Sequence, residues 1–369
     1  MDRPDFGKVM LGRGVVNQKG PEAAFLAALH AYRAAGRAPP VNLVLVGDGE
    51  EEIGSPSLPE LVRRPEVSAA LGRCVGIVLP GAEQEPDGEL TVDLGSKGDV
   101  ELELTVSGER WGRGATRDVH SGDRARLDSP AFHLVQALAS LVTPDGAEPA
   151  IEGFADAARA PTRAELRMVD LAARRMSEAD AKRVLGVKRW VRDVDWKESL
   201  VRLFSRPTVE IEGFVGGYTG PGGKTMSPTR ATAKIDLRLV PEMTADGAIQ
   251  AVRNHLRKRG FGDIEVTVLG GAYDPTSTTA EAAVVRAAVS TYRSAALEPL
   301  LWPRSPGSWP GYLFTGAPLK LGAVHFGVGH GGREHAPDEY LVVESNVPRV
   351  AGYDGAVKAF VSYLETVAA

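Results

Sequence analysis

The chain has 369 residues, 43% of them hydrophobic and 25% charged, and carries a net charge of −5 with an isoelectric point near 5.9. That is enough for two or three domains of an ordinary soluble globular protein, and the acidic balance argues against nucleic acid or anionic membrane as a partner. A single cysteine, Cys74 in the run CVGIVL, excludes an intrachain disulfide framework and reads as a small core residue, and with no apolar run of transmembrane length and no signal-peptide core the expected location is the cytoplasm.

In chain order, residues 8–11 offer only a short strand and residues 12–20 read as loop. Pro21 then opens a helix that ends at Gly36, with Ala24, Phe25, Ala28, Leu29 and Tyr32 on one stripe. Residues 41–46, VNLVLV, form an unbroken apolar run, the pattern of a parallel strand buried on both faces. A helix followed by such a strand closes a βαβ crossover, which requires a strand before the helix. The preceding residues barely supply one, so the sheet looks as if its beginning is missing. Residues 59–70 predict a short helix, residues 73–79 a second buried strand, and PGAEQEPDG a turn-rich loop.

From Asp99 the pattern changes. VELELTVSG alternates apolar with polar, the mark of a sheet with one wet face. A helix over 129–142, a polar, partly helical insertion over 148–204, strands over 208–214 and 230–240, a helix over 244–259 and a strand over 264–269 complete a βα, ββαβ order. That is the split βαβ of a ferredoxin-like domain. The remainder, with a helix over 280–295, a strand over 323–328, a His/Gly-rich loop and a helix over 350–366, is α/β again. The expected fold is a discontinuous α/β domain, residues 1–97 and 273–369, with an α+β domain, residues 98–272, inserted into it.

The run 41–46 leads into GDGEEEIGSPSL, so three glutamates sit at a strand's carboxyl end, where open α/β sheets place their ligands. Adjacent loop residues point in different directions, which lets Glu51 and Glu52 divide two tasks. One can bind a metal while the other handles the proton of a metal-bound water. The plain alternative is a solvated acidic loop.

Six phrases in order, GRGVVNQKGP, EEEIGS, DVHSG, GGYTGPGGKTMSPTRATAKIDLRLVP, SPGSWP and HAPDE, resemble the di-zinc metallopeptidase family of aminoacylase, carnosinase, carboxypeptidase G and succinyl-diaminopimelate desuccinylase (peptidase family M-twenty). They run from Gly12 to Glu339, and the carnosinase-like dipeptidase branch is the nearest in pattern. The resemblance implies an α/β zinc-peptidase-like domain with an inserted ferredoxin-like lid that dimerises. It places Glu51 as general base, Glu52 and His335 as metal ligands, and Asn17 at the position of the aspartate that bridges two zincs. It also implies a histidine upstream of GRG, whereas the first histidine here is His30, and a second acid near residues 79–81, where the chain reads LPG. At most one weakly held zinc is therefore expected. His330 and Glu334, or one of Glu83, Glu85 and Asp87, are the candidates to replace lost ligands.

On the substrate side, the resemblance implies that Arg238 in DLRLVP grips a substrate carboxylate, a task that suits bidentate arginine. A surface arginine on an alternating strand is the alternative. Gly307 and Ser308 in PGSWP match a turn near the substrate, and Thr225 in GKTMSP matches a polar lid position. His120 in DVHSG matches a lid histidine that serves the partner subunit's active site as an oxyanion stabiliser; a buried polar histidine is the other possibility. A further family lid histidine, expected near Gly270 or Gly271, is absent. The apolar flank of the first helix and one sheet edge are expected to be uncovered, unless a separate chain covers them or the fold has adapted. Three functions fit: a hydrolase of small amides such as dipeptides or N-acyl amino acids with a degraded metal site, an inactive relative that binds a peptide-like ligand or partner, and a metal-independent enzyme using Glu51 as acid or base.

Overall fold

The computed structural model describes residues 6–369. In chain order the main elements are β1 (Gly7–Leu11), α1 (Gly20–Ala34), β2 (Ile77–Pro80) and β3 (Thr91–Asp93), then β4 (Gly98–Ser107), α2 (Pro130–Ser140), β5 (Thr208–Val215), β6 (Arg230–Leu239), α3 (Ala245–Lys258) and β7 (Glu265–Tyr273). The chain closes with α4 (Ala283–Ser294), β8 (Leu300–Trp302), β9 (Ala323–Phe326), β10 (Tyr340–Ser345) and α5 (Tyr353–Ala368).

The alternating stretch forms the sheet that its pattern predicts. Strands β5, β6, β4 and β7 lie side by side in that order, all antiparallel, which is the ferredoxin-like arrangement. One face of this sheet is apolar: Val100, Leu102, Leu104 and Val106 of β4 and Ala231, Ala233, Ile235 and Leu237 of β6 are fully buried with Leu134 and Leu138 of α2 and Val252 and Leu256 of α3. The other face carries the intervening polar residues, as a period of two requires. Thr244 caps α3 by accepting a hydrogen bond from Gly247 N at 3.1 Å. The polar insertion is more helical than its composition suggests, with helices Arg163–Arg175, Glu178–Leu185 and Trp196–Ser205. Its apolar stripe docks Val169, Ala172, Leu200 and Phe204 on Trp302 of β8.

In the α/β part, β2 pairs in parallel with β9, and β3 pairs in parallel with β8. The stripe foreseen on α1 is buried: Ala24, Phe25, Ala28 and Tyr32 pack with Phe326, Phe360 and Tyr363. β1 and β10 are antiparallel neighbours. An α/β peptidase-like part with an inserted ferredoxin-like lid is therefore the observed fold class.

Three expectations fail. Residues 41–46 are extended but form no strand, and Val44 and Leu45 are 44% and 65% exposed. An apolar run becomes a sheet strand only beside a backbone that accepts its hydrogen bonds, and among the described residues none pairs with it. Only Val41, Leu43 and Val46 reach neighbouring apolar clusters. The strand expected over 73–79 starts at Ile77 and is half-buried, so Cys74 sits at the margin, not in the core. The single helix foreseen over 59–70 is two, Leu58–Arg63 and Pro65–Leu71, because Pro65 cannot continue the first.

Candidate active site

Three loops meet at one point. The first is the turn Val15–Lys19 that leads into α1 at Gly20. A side chain at Gly20 would collide with the Val15 carbonyl and with Leu341, so only glycine permits this close approach. The turn is held from the other end of the chain. Glu339, almost fully buried, accepts hydrogen bonds from Gly14 N at 2.7 Å, Val16 N at 2.9 Å and Asn17 N at 2.9 Å, with Arg13 at 3.6 Å. Burial works against its charge, but the backbone N–H groups of Asn17, Gly14 and Val16 outweigh it, so its carboxyl is held below the usual range.

The second is the glutamate loop. Asp48 accepts hydrogen bonds from Glu50 N at 2.8 Å and Ser55 Oγ at 2.5 Å, closing the loop around the short turn Glu51–Ile53. Gly54, at φ 91°, lies against the backbone of Gly270 and Gly271, and Ser55 meets Tyr273 Oη at 3.3 Å, so the loop rests on the end of β7. The third is the loop after β9, in which His335 adopts φ 61°, a conformation that costs a non-glycine residue about 1 kcal/mol or more.

At the meeting point Asn17 Nδ2 donates to Glu52 Oε1 at 3.2 Å and lies 3.2 Å from His335 Nε2. His335 Nε2 is 3.1 Å from Glu52 Oε2, and both side chains are more than half exposed. The three residues chosen from sequence as ligands are thus brought together. Glu51 stands beside them. Burial raises its pKa first, the neighbouring Glu52 and Asp48 add to the rise, and His335 opposes it. A carboxyl so placed holds a proton more readily than an ordinary glutamate, which suits a proton-transfer group.

The side chains that meet here are one carboxylate, one imidazole and one amide. Glu52 and His335 are two good ligands, and Asn17 is a neutral amide that donates to one of them. A protein zinc site takes three or four side-chain donors. Among the described residues no group of three or more His, Cys, Asp or Glu side chains is placed to hold a metal ion. Two of the suggested replacements are engaged with other groups. His330 is a structural histidine: Nδ1 is 2.7 Å from the Gln84 carbonyl and Nε2 is 2.9 Å from Tyr340 Oη, and burial lowers its pKa. The Glu83 carboxylate folds back over Gly81, filling the space a side chain there would take. It is pushed up to about 8 by burial, with Asp93 and Glu85 adding to the rise.

The remaining candidates form two further groups. Arg238 and Ser308 are together, with Arg238 Nη1 3.3 Å from Ser308 Oγ, while Gly307 N donates to Ser305 Oγ at 3.2 Å. His120 and Thr225 are neighbours on a short ladder, where His120 faces Met226 and Ser121 N donates to the Thr225 carbonyl at 3.1 Å. The His120 ring is exposed, and its Nδ1 accepts from Gly122 N at 3.0 Å. It is bonded to none of Asn17, Glu52 and His335. Sequence reasoning missed Glu339, although it stands in the quoted phrase HAPDE.

The model of Peptidase family M20/M25/M40 matches residues 3–359. The chain belongs to this family. Among its relatives, the Cys-Gly metallodipeptidase dug1 of Schizosaccharomyces pombe is 28% identical over 250 residues, 68% of this chain and 50% of that protein. The Beta-Ala-His dipeptidase of Rattus norvegicus is 28% identical over 274 residues, 71% of this chain and 52% of that protein. The chain thus spans about half the length of the curated relatives it matches. The M20 family metallo-carboxypeptidase Sso-CP2 of Sulfolobus solfataricus superposes with a TM-score of 0.82 at 28% identity, over 98% of this chain and 78% of that one. Human carnosine dipeptidase 1, at 24% identity and a TM-score of 0.75 over 98% of this chain and 75% of that one, shares the fold. No helix among the described residues is long and apolar enough to cross a membrane.

Proposed function

We propose that this chain is a hydrolase scaffold for the amide bonds of small substrates, dipeptides or N-acyl amino acids, with a metal site reduced to at most one weakly held zinc. The observation that carries the proposal is the triad Asn17, Glu52 and His335. Two dications a few ångströms apart repel strongly, and a shared carboxylate offsets this with charge and two hard oxygens. Asn17 brings neither the charge nor the second oxygen. Glu51 is the acid–base group of this site, and Arg238 with Ser308 and Gly307 is the grip for a substrate carboxylate. The dipeptidases among the relatives support a substrate of that size.

The lid we assign to residues 98–272, with residues 1–97 and 273–369 forming the α/β part. Its edge strand β5 and helix α2 expose Ile211, Phe214, Val215, Phe132 and Val135, an apolar band suited to a two-fold homodimer. In that dimer His120 and Thr225 serve the neighbouring subunit.

Zinc content after loading and exhaustive dialysis tests the metal proposal. Below one zinc per chain is expected for the native protein, and Asn17→Asp raises retention toward one, with affinity up about tenfold or more from the added charge. Two zincs retained per native chain, with dipeptide cleavage at ordinary enzyme rates, overturn it. No zinc in either protein, and hydrolysis indifferent to Glu51→Gln, leave the chain a peptide-binding relative.

A further inference from the structure

On the polar face of the lid sheet, strands β4 and β6 set Asp99 opposite Arg238 and Glu101 opposite Asp236. Arg238 is tied to both aspartates. Its Nε and Nη2 donate to Asp236 Oδ2 at 2.8 and 2.7 Å, and its Nη1 lies 3.5 Å from Asp99 Oδ2. Ser308, from the α/β part, sits between them, with Oγ 3.3 Å from Arg238 Nη1 and 3.5 Å from Asp99 Oδ2. The Oδ2 atom of each carboxyl is thus accounted for. The Oδ1 atoms are not: Asp99 Oδ1 and Asp236 Oδ1 are both buried from solvent, and neither has a hydrogen-bond partner. Two ionised carboxylates cannot share a buried space without one, since a desolvated oxygen with no hydrogen bond costs about 1–3 kcal/mol and the like charges add to it. A proton on one carboxyl supplies the missing donor.

We propose that Asp99 and Asp236 form a carboxyl–carboxylate pair sharing one proton, and that this proton gates the capture of a ligand's carboxylate by Arg238. The gating half rests on Arg238 as the grip assigned above. With the proton in place the pair carries one negative charge, which Arg238 balances, and the half-exposed guanidinium edge still attracts an anion. With the proton lost, two carboxylates outweigh one arginine and an incoming carboxylate is repelled.

The surroundings set the pH window. Burial holds Asp99 up at about 7, Arg238 opposes the rise, and Asp236 and Glu101 add to it. From β5, Glu210 stands opposite Asp236 in register, and Glu212 is raised by burial and by Glu101 and Asp236, against Arg238 and Lys234. Tyr273 of β7 stands opposite Asp99. Lys97, which donates to the Arg206 carbonyl at 2.7 Å, is lowered to about 8 by burial and by Arg304 and Arg238, against Asp236. It becomes neutral above the window in which Asp99 ionises. The shared proton is therefore read between pH 6 and pH 7.5.

Two measurements test the proposal. Infrared difference spectra between pH 6 and pH 8, native minus Asp99→Asn, isolate the protonated-carboxyl stretch of this pair from those of Glu83 and Asp93. A band present at pH 6, titrating near pH 7 and absent in Asp236→Asn is expected; no such band overturns the pair. Calorimetric titration with N-acetylglycine then reads the gate, with N-acetylglycinamide as the uncharged control. Affinity for the acid is expected to fall about fourfold from pH 6 to pH 7.5, as one proton titrating near 7 requires, while the amide shows no change. Asp99→Asn and Asp236→Asn, each with one fixed charge, abolish the pH dependence. An affinity for N-acetylglycine that is flat with pH, or no binding at either pH, overturns the gate whatever the infrared result.

Discussion

Removing the Glu339 carboxylate should release the turn that carries Asn17. In Glu339→Ala three backbone N–H groups, those of Gly14, Val16 and Asn17, lose a charged acceptor at 2.7–2.9 Å. Hydrogen bonds to charged groups contribute about 1.5–3 kcal/mol each, and a buried donor left without a partner costs about 1–3 kcal/mol. Val16 is buried, whereas Gly14 and Asn17 are partly open to water, so the sum settles at about 4 kcal/mol. Glu339→Gln keeps one acceptor oxygen and should cost about 2 kcal/mol. Urea unfolding gives the totals, and amide exchange at Gly14, Val16 and Asn17 shows whether the loss is local. The sign with pH follows from the lowered pKa. Glu339 stabilises the fold above its unfolded value near 4.5, and that contribution is lost as pH falls through the still lower folded value. A loss below about 1 kcal/mol in Glu339→Ala, with unchanged exchange at the three amides, would refute the assignment of Glu339 as the anchor of this turn.

Burial of Glu83, raised from 4.5 to about 8, makes an opposite statement. A carboxyl whose folded pKa exceeds its unfolded one stabilises the fold below 4.5 and loses that advantage as pH rises through 8. Glu83→Gln should therefore gain up to about 5 kcal/mol over the native protein at pH 9 and little at pH 4; thermal melts at both values check it. If the proposed lid dimer forms, Phe214→Glu, at the exposed edge of the lid, should give a monomer in sedimentation at micromolar concentration, where the native protein gives a dimer, without altering the melt.

The lid was legible because a sheet with one wet face writes its period of two into the sequence. Strands β4 and β6 follow the expected ranges to within a residue or two, and the split βαβ order gives their adjacency. The meeting of three loops was legible through their phrases: Asn17, Glu52 and His335 come from three distant segments and lie together. What composition cannot state is the partner. The run VNLVLV reads as a doubly buried strand, yet burial on both faces is a property of two neighbours, and the described residues provide none that bonds to it. The two histidines of the loop after β9 have equal standing in sequence. Only the Gln84 carbonyl and the Tyr340 hydroxyl decide that His330 is structural and His335 free to face Glu52.

Glu339 and the aspartate pair illustrate why charged residues hide their roles. Glu339 holds Gly14 across 325 residues of chain, and no local pattern records a contact of that separation. Asp99 and Asp236 each look like an ordinary polar residue on the wet face of an alternating strand. Register makes them exceptional: Asp99 stands opposite Arg238, and two positions back along β6 Asp236 reaches the same guanidinium. One arginine then balances two carboxyls only if they hold a proton between them. On the proposed gate, the grip that the phrase DLRLVP suggests is an arginine whose free charge depends on a residue 139 positions earlier, at Asp99. A substitution at Asp99 should for that reason change ligand binding at Arg238 more than one at the equally acidic Glu103, which faces Lys234 on the same two strands. Comparing N-acetylglycine affinity of Asp99→Asn and Glu103→Gln at pH 7.5 decides it: a gain of about fourfold in the first and none in the second is expected, and equal effects would mean that only the overall charge of the lid face matters.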